Sequence, residues 1–229
     1  MPSWNIHTAH VERLLGEESP ESLGICHVDD FLFGNLVPDV YVGYMVTNPT
    51  RKIAYRDTHF SDPTFIPAPD ASRFYNLYVR DKDANDVVLG AWTHLLCDHY
   101  YNLRTTGYIA SIGVEPGEQT RIRKQADFDL FGRTLSISLV PRVTQRLVNL
   151  CADFPQYVVD EPDVYAAAQA QEAIVRKNQA QHVDGEPTYS LLNAAFFQST
   201  YHEVCAVLRE ALLLHAAGAY AGDLGSIDS

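Results

Sequence analysis

From about Val87 to Leu103 the chain runs Val-Val-Leu-Gly-Ala-Trp-Thr-His-Leu-Leu-Cys-Asp-His-Tyr-Tyr-Asn-Leu, apolar around most of a helical circumference. A helix with so little polar face has to be enclosed by other elements. This segment is therefore expected at the centre of a helical bundle. The rest of the sequence repeats helical rather than strand spacing. Val11, Leu14 and Leu15 follow His7 until Gly16, and Asp70 stands as an N-cap for a helix over 71–81. Further helices are expected near 127–154, 162–181 and 188–217, with Pro162 in a first turn and Gly185-Glu186-Pro187 as a break. The three prolines within 58–69 predict a loop, and 107–117 reads as another connection. A chain of 229 residues fills one core without needing a second. The fold class expected is all-α, a single helical domain over 1–217 with a small, polar tail that frays over 218–229.

The formal net charge of −12 disfavours nucleic-acid phosphates and anionic membranes as partners. A small anionic ligand stays compatible, because a bound metal reverses the field locally. No run approaches the roughly 18–20 apolar residues of a membrane span, so no stable membrane anchor is expected. The start, Met1-Pro2-Ser3-Trp4-Asn5-Ile6-His7, lacks the basic and apolar regions of a secretory signal. Cys26, Cys97, Cys151 and Cys205 are far apart and form no Cys-x-x-Cys pair, and three of them sit in apolar helical patterns. They read as reduced thiols, which points to the cytoplasm.

Inside the central segment His94 and Asp98 stand four apart on one helical face, with Asn102 one turn further on. A carboxylate buried there is costly unless it is paired or bound to a cation. Imidazole and carboxylate at this spacing converge on a metal such as Zn²⁺, or form a His–Asp hydrogen bond that only braces the helix. Asp39, after Pro38, is the single carboxylate in the apolar stretch 31–46 and either caps the next helix or serves as a ligand. His59 lies in the Asp57-Thr58-His59-Phe60 segment. His7 and His10, three apart in the first helix, compete to point inward; Val11 and Leu14 favour His7 by their spacing.

Taken in order, His7, Gly34-x-x-x-Pro38-Asp39, His59-Phe60 and His94-x-x-x-Asp98 resemble the zinc-dependent phospholipase C family, which is related in fold to the zinc-dependent single-strand nucleases. The resemblance covers residues 7 to about 102. It implies a helical bundle in which Asp39, His59 and His94 bind one zinc ion. Asp98 would bridge to a second ion, and His7 would bind that ion beside it. Asn102 would orient a ligand, while His10 and His99 stand outside the ligand set.

The chain departs from the family in three places. The secreted members begin at a tryptophan whose amino group is a ligand, whereas Trp4 here follows Met1-Pro2-Ser3. They also carry a further histidine after the helical aspartate, where Arg104 falls in this chain, and then a His-x-x-x-Glu pair. The only such pair here, His182 and Glu186, leads into a breaker. One or two zinc ions are therefore expected instead of three. His202, Glu203, Asp127 and Asp129 are further candidates for the site, or part of a solvated surface. The resemblance implies hydrolysis of a phosphodiester by metal-activated water, with Asp39 or Asp98 orienting that water. The substrate would be a small phosphoester or a phospholipid headgroup. The alternative is a non-catalytic helical protein whose metal site is structural or vestigial.

Overall fold

The computed structural model describes residues 2–222, and regular structure among them is entirely helical. In chain order the helices are α1 (Trp4–Glu17), α2 (Val28–Gly34), α3 (Val37–Val40), α4 (Tyr55–His59), α5 (Ala71–Tyr78), α6 (Asp86–Ser111), α7 (Glu118–Gly132), α8 (Gln145–Ala152), α9 (Glu161–Ala180) and α10 (Ala194–Ala216). The central helix is α6, as its apolar circumference requires. It packs against α2, α3, α5, α8 and α10, while α1 lies on α9 and α10. Asn85 starts α6 by accepting hydrogen bonds from Val87 N and Val88 N, and Asp70 starts α5 by accepting from Arg73 N.

Helices α2 and α6 meet at two glycines. A Cβ added at Gly90 would stand 2.1 Å from Phe31 O, and one added at Gly34 would stand 2.2 Å from Val87 O. Only hydrogen at both positions lets α2 and α6 meet backbone to backbone. Asn35, immediately after α2, is thereby brought to α6, where its Nδ2 donates to Gly90 O at 3.1 Å.

Several boundaries differ from the sequence expectations. Helix α6 continues through 107 to Ser111, because buried Thr105 and Ile109 extend its packed face. Residues 127–154 do not form one helix. Helix α7 ends at Gly132, where a Cβ would stand 2.2 Å from Asn5 Nδ2. A non-helical stretch containing Pro141 then leads to Thr144, which caps α8. Helix α10 starts at Ala194 behind its cap Asn193, not at 188. His59 closes a short helix where a loop was expected, with Phe60 in the left-handed region at φ 52°. The segment expected to fray from 218 begins packed: Tyr220 is buried, with its ring against Trp92 and Tyr75. Residues 223–229 of that segment lie outside the described residues. No described helix is long and apolar enough to cross a membrane. All four cysteines are free thiols, Cys26 exposed and the other three buried.

Candidate metal centre

Four helices bring five ionisable side chains to one buried point. Helix α1 supplies His7, α3 supplies Asp39, α4 supplies His59, and α6 supplies both His94 and Asp98. Their exposures are 1%, 6%, 0%, 0% and 1%. Pro38 falls in the first turn of α3, where its missing N–H needs no partner, and so sets Asp39 without breaking the helix. The four-residue spacing of His94 and Asp98 keeps both on the face of α6 that meets α1 and α4. Two overlapping sets of donors, His7–His94–Asp98 and Asp39–His59–His94, each lie within 4.8 Å of one another.

Surrounding hydrogen bonds fix the imidazole tautomers. His94 Nδ1 lies 2.8 Å from Asn35 O, and a carbonyl only accepts, so Nδ1 carries the proton and Nε2 a lone pair. The hydroxyl of Thr58 donates its one hydrogen to Tyr55 O at 3.1 Å. It must then accept from His59 Nδ1 at 2.7 Å, which leaves a lone pair on His59 Nε2 as well. These two unprotonated Nε2 atoms face each other across 3.3 Å. A cation between them converts that repulsion into ligation. In a tetrahedral zinc site with Zn–N bonds of about 2.0–2.1 Å, neighbouring donors are separated by about 3.3–3.4 Å. The spacing of the two histidines fits that shell.

The carboxylates stand around the same point. Asp39 Oδ1 is 3.7 Å from His59 Nε2, and Asp39 Oδ2 is 3.9 Å from His94 Nε2. Asp98 Oδ2 is 3.8 Å from His59 Nε2 and 3.9 Å from His94 Nε2. The two donor sets both include His94, but its one remaining lone pair serves a single ion. The inner position therefore belongs to Asp39, His59 and His94. A second position is left to His7 and to the other oxygen of Asp98. His7 Nε2 and Asp98 Oδ1 lie 3.2 Å apart, yet neither makes a hydrogen bond, and His7 Nδ1 is equally unpaired. Buried polar atoms without partners are rare in folded proteins and require an explanation. A second cation shared by His7 and Asp98 supplies one, so the residues present fit one or two metal ions. The ring of His7 stacks on that of His94 at 4.0 Å, which holds the two positions side by side.

Burial shifts every member toward its uncharged form. Desolvation takes His7 from 6.5 down to about 3, and lowers His59 and His94 as well. The same cause pushes Asp39 up to about 6 and raises Asp98. A divalent ion reverses this balance by stabilising ionised carboxylates beside neutral imidazoles.

Of the accessory candidates, Asn102 is the one that borders the cluster. It is buried, donates from Nδ2 to Pro67 O at 2.9 Å, and lies beside the Tyr55 hydroxyl. His10 is turned away: its Nε2 is paired with Tyr101 Oη at 3.1 Å, and its ring stacks on Tyr201. His99 Nδ1 donates to Pro69 O. His202 is exposed, its Nδ1 bonded to Gln198 O one turn back on α10. Glu203 pairs with Arg104 at 2.7 Å. Asp127 accepts from Ser190 N, Leu191 N and Leu192 N, so it ties down the loop before α10, and Asp129 accepts from Gln125. None of these six joins either donor set.

Other contributors escaped the sequence reading. Trp4 Nε1 donates to Asp39 Oδ2 at 3.0 Å. Tyr55 donates to Asp98 Oδ2 at 3.3 Å and stacks on His59 with ring centroids 3.8 Å apart. Its place four residues before His59 is a helical signal, but the loop expected over 58–69 left His59 outside any helix. Lys124, on α7, is 7% exposed; burial lowers its ammonium, and the Asp98 charge pulls it back up.

Fold and site together define an all-α protein with a buried His/Asp cluster able to hold a metal ion. No protein-family description matches the chain, and no curated protein or solved structure matches it.

Proposed function

We propose that the chain is a metal-dependent hydrolase of phosphate esters, similar to the zinc-dependent phospholipases C, acting on a phosphodiester. The observation that carries this reading is the 3.3 Å approach of His59 Nε2 to His94 Nε2, both without a proton. Each histidine donates outward, His59 to Thr58 and His94 to Asn35, so the two Nε2 lone pairs are left facing each other. Mixed imidazole and carboxylate donors suit zinc, and the 3.3 Å spacing of the two histidines matches its tetrahedral shell. A zinc ion held there would supply Lewis acidity to a phosphoryl oxygen and to water. Around it, Asp39 and Asp98 offer carboxylate oxygens able to orient a nucleophilic water. His7 widens the site toward a second ion, and Lys124 adds a positive charge near Asp98. A small soluble phosphoester or a phospholipid headgroup suits a net charge of −12 better than a nucleic acid or an anionic bilayer does. Free cysteines fit a reducing compartment such as the cytoplasm.

The test is elemental analysis of zinc-reconstituted protein alongside turnover on a panel of phosphomonoesters and phosphodiesters. We expect about one or two zinc ions per chain, lost in His94→Ala, and hydrolysis that disappears with the metal. Wild type that retains no zinc after reconstitution removes the basis of this reading.

One observation favours a second reading, a structural ion. Asp98 Oδ2 lies nearly as close to the two histidines as Asp39 does, so four protein donors surround the inner position. Structural zinc sites are closed in this way, whereas catalytic ones keep a position for water. Stoichiometric zinc without turnover on any ester of the panel selects this alternative.

A further inference from the structure

What separates a closed site from an open one is Asp98 Oδ2, the fourth donor around the inner position. That atom already has a partner, the hydroxyl of Tyr55 at 3.3 Å. The two carboxylates of the centre are held in contrasting ways. Trp4 occupies Asp39 Oδ2 and leaves Oδ1 on the His59 side. Tyr55 occupies Asp98 Oδ2 and leaves Oδ1 facing His7 at 3.2 Å, where it has no hydrogen bond.

The ring of Tyr55 is fixed as well. It lies on His59 with centroids 3.8 Å apart and planes 21° from parallel, and its hydroxyl has Asn102 beside it. Tyr55 is half-buried, whereas the five donor residues are buried. We propose that Tyr55 is a positioning residue: its hydroxyl holds Asp98 Oδ2 out of the inner coordination shell, so that Asp98 serves the His7 position and the inner ion keeps one place for water or a phosphate oxygen. The inference rests on the metal reading above and deepens it, because it makes the inner site the substrate-binding one.

Cobalt(II) reports this directly. It occupies zinc sites, and its visible spectrum changes when a bound water is exchanged for a carboxylate or phosphate oxygen. The experiment compares cobalt-loaded wild type, Tyr55→Phe and Tyr55→Leu for cobalt content, visible spectrum and response to inorganic phosphate. The phenylalanine variant retains the stacked ring and loses only the hydroxyl. We expect it to bind as much cobalt as wild type and to show a shifted visible spectrum. It should also need at least ~10-fold more phosphate for the same spectral change, in line with the effect of losing a hydrogen bond to a ligand. Tyr55→Leu should behave like Tyr55→Phe. A phenylalanine variant with the wild-type spectrum and phosphate response overturns the proposal, and so does a change seen only in the leucine variant, which would assign the effect to the ring. Wild type that takes up no cobalt fails at the earlier step and removes the metal reading together with this one.

Discussion

Gly34 and Gly90 place α2 and α6 in backbone contact, and the same contact seats the Asn35 carbonyl on His94 Nδ1 at 2.8 Å. The packing of two helices is thus coupled to the orientation of a candidate ligand. In Gly90→Ala the new methyl would stand 2.1 Å from Phe31 O, so the helices must separate. The expected loss of stability is about 1–3 kcal/mol, as for other overpacked cores, read from the denaturant midpoint. Zinc affinity should fall with it, because Asn35 withdraws from His94. Unchanged stability would show that the helices separate without strain.

Thr58 tests the tautomer argument. In Thr58→Val the shape is nearly kept, but the acceptor for His59 Nδ1–H is removed in a fully buried place. Stability should drop by about 1–3 kcal/mol, the cost of an unpaired buried donor. Zinc affinity should drop 10–100-fold, the usual effect of removing a partner that orients a ligand. Competition with a chelating dye measures the second effect. Affinity equal to wild type would mean that Thr58 does not hold the ring.

Trp4→Phe removes the Nε1–H that Asp39 Oδ2 accepts at 3.0 Å. The expected outcome is a zinc affinity about 10-fold or more weaker, with the number of ions bound unchanged. Loss of an entire ion would instead assign Trp4 a direct part in holding it.

The pH dependence follows from two opposite shifts. Asp39 is raised from 3.8 to about 6, so in the metal-free chain it contributes stability below pH 3.8 that is lost as pH rises through 6. His7 is lowered from 6.5 to about 3, so its contribution is present above pH 6.5 and is lost as pH falls through 3. An ion must displace the Asp39 proton below about pH 6, whereas His7 already offers a free nitrogen there. Zinc affinity should therefore fall by about tenfold per unit below pH 6 and flatten above it, measured by competition titration. A flat affinity through that interval would show Asp39 ionised in the metal-free chain.

The parts of this site legible in the sequence are those that share one element. His94 and Asp98 stand out because a regular helix puts both on one face of an otherwise apolar segment. His7, Asp39 and His59 come from three other helices, and only their order along the chain links them. The surroundings were less legible. Asn35 acts through its carbonyl, which has no side-chain signature, and Tyr55 through a single turn of helix that nearby prolines disguised. The expectation of one helix over 127–154 failed because apolar spacing resumes after the break; α7 ends at Gly132, and a non-helical stretch containing Pro141 precedes α8.

Ligands drawn from positions 7, 39, 59, 94 and 98 give a bound ion one more property. It would act as a cross-link, closing long loops between segments that are independent in the unfolded chain.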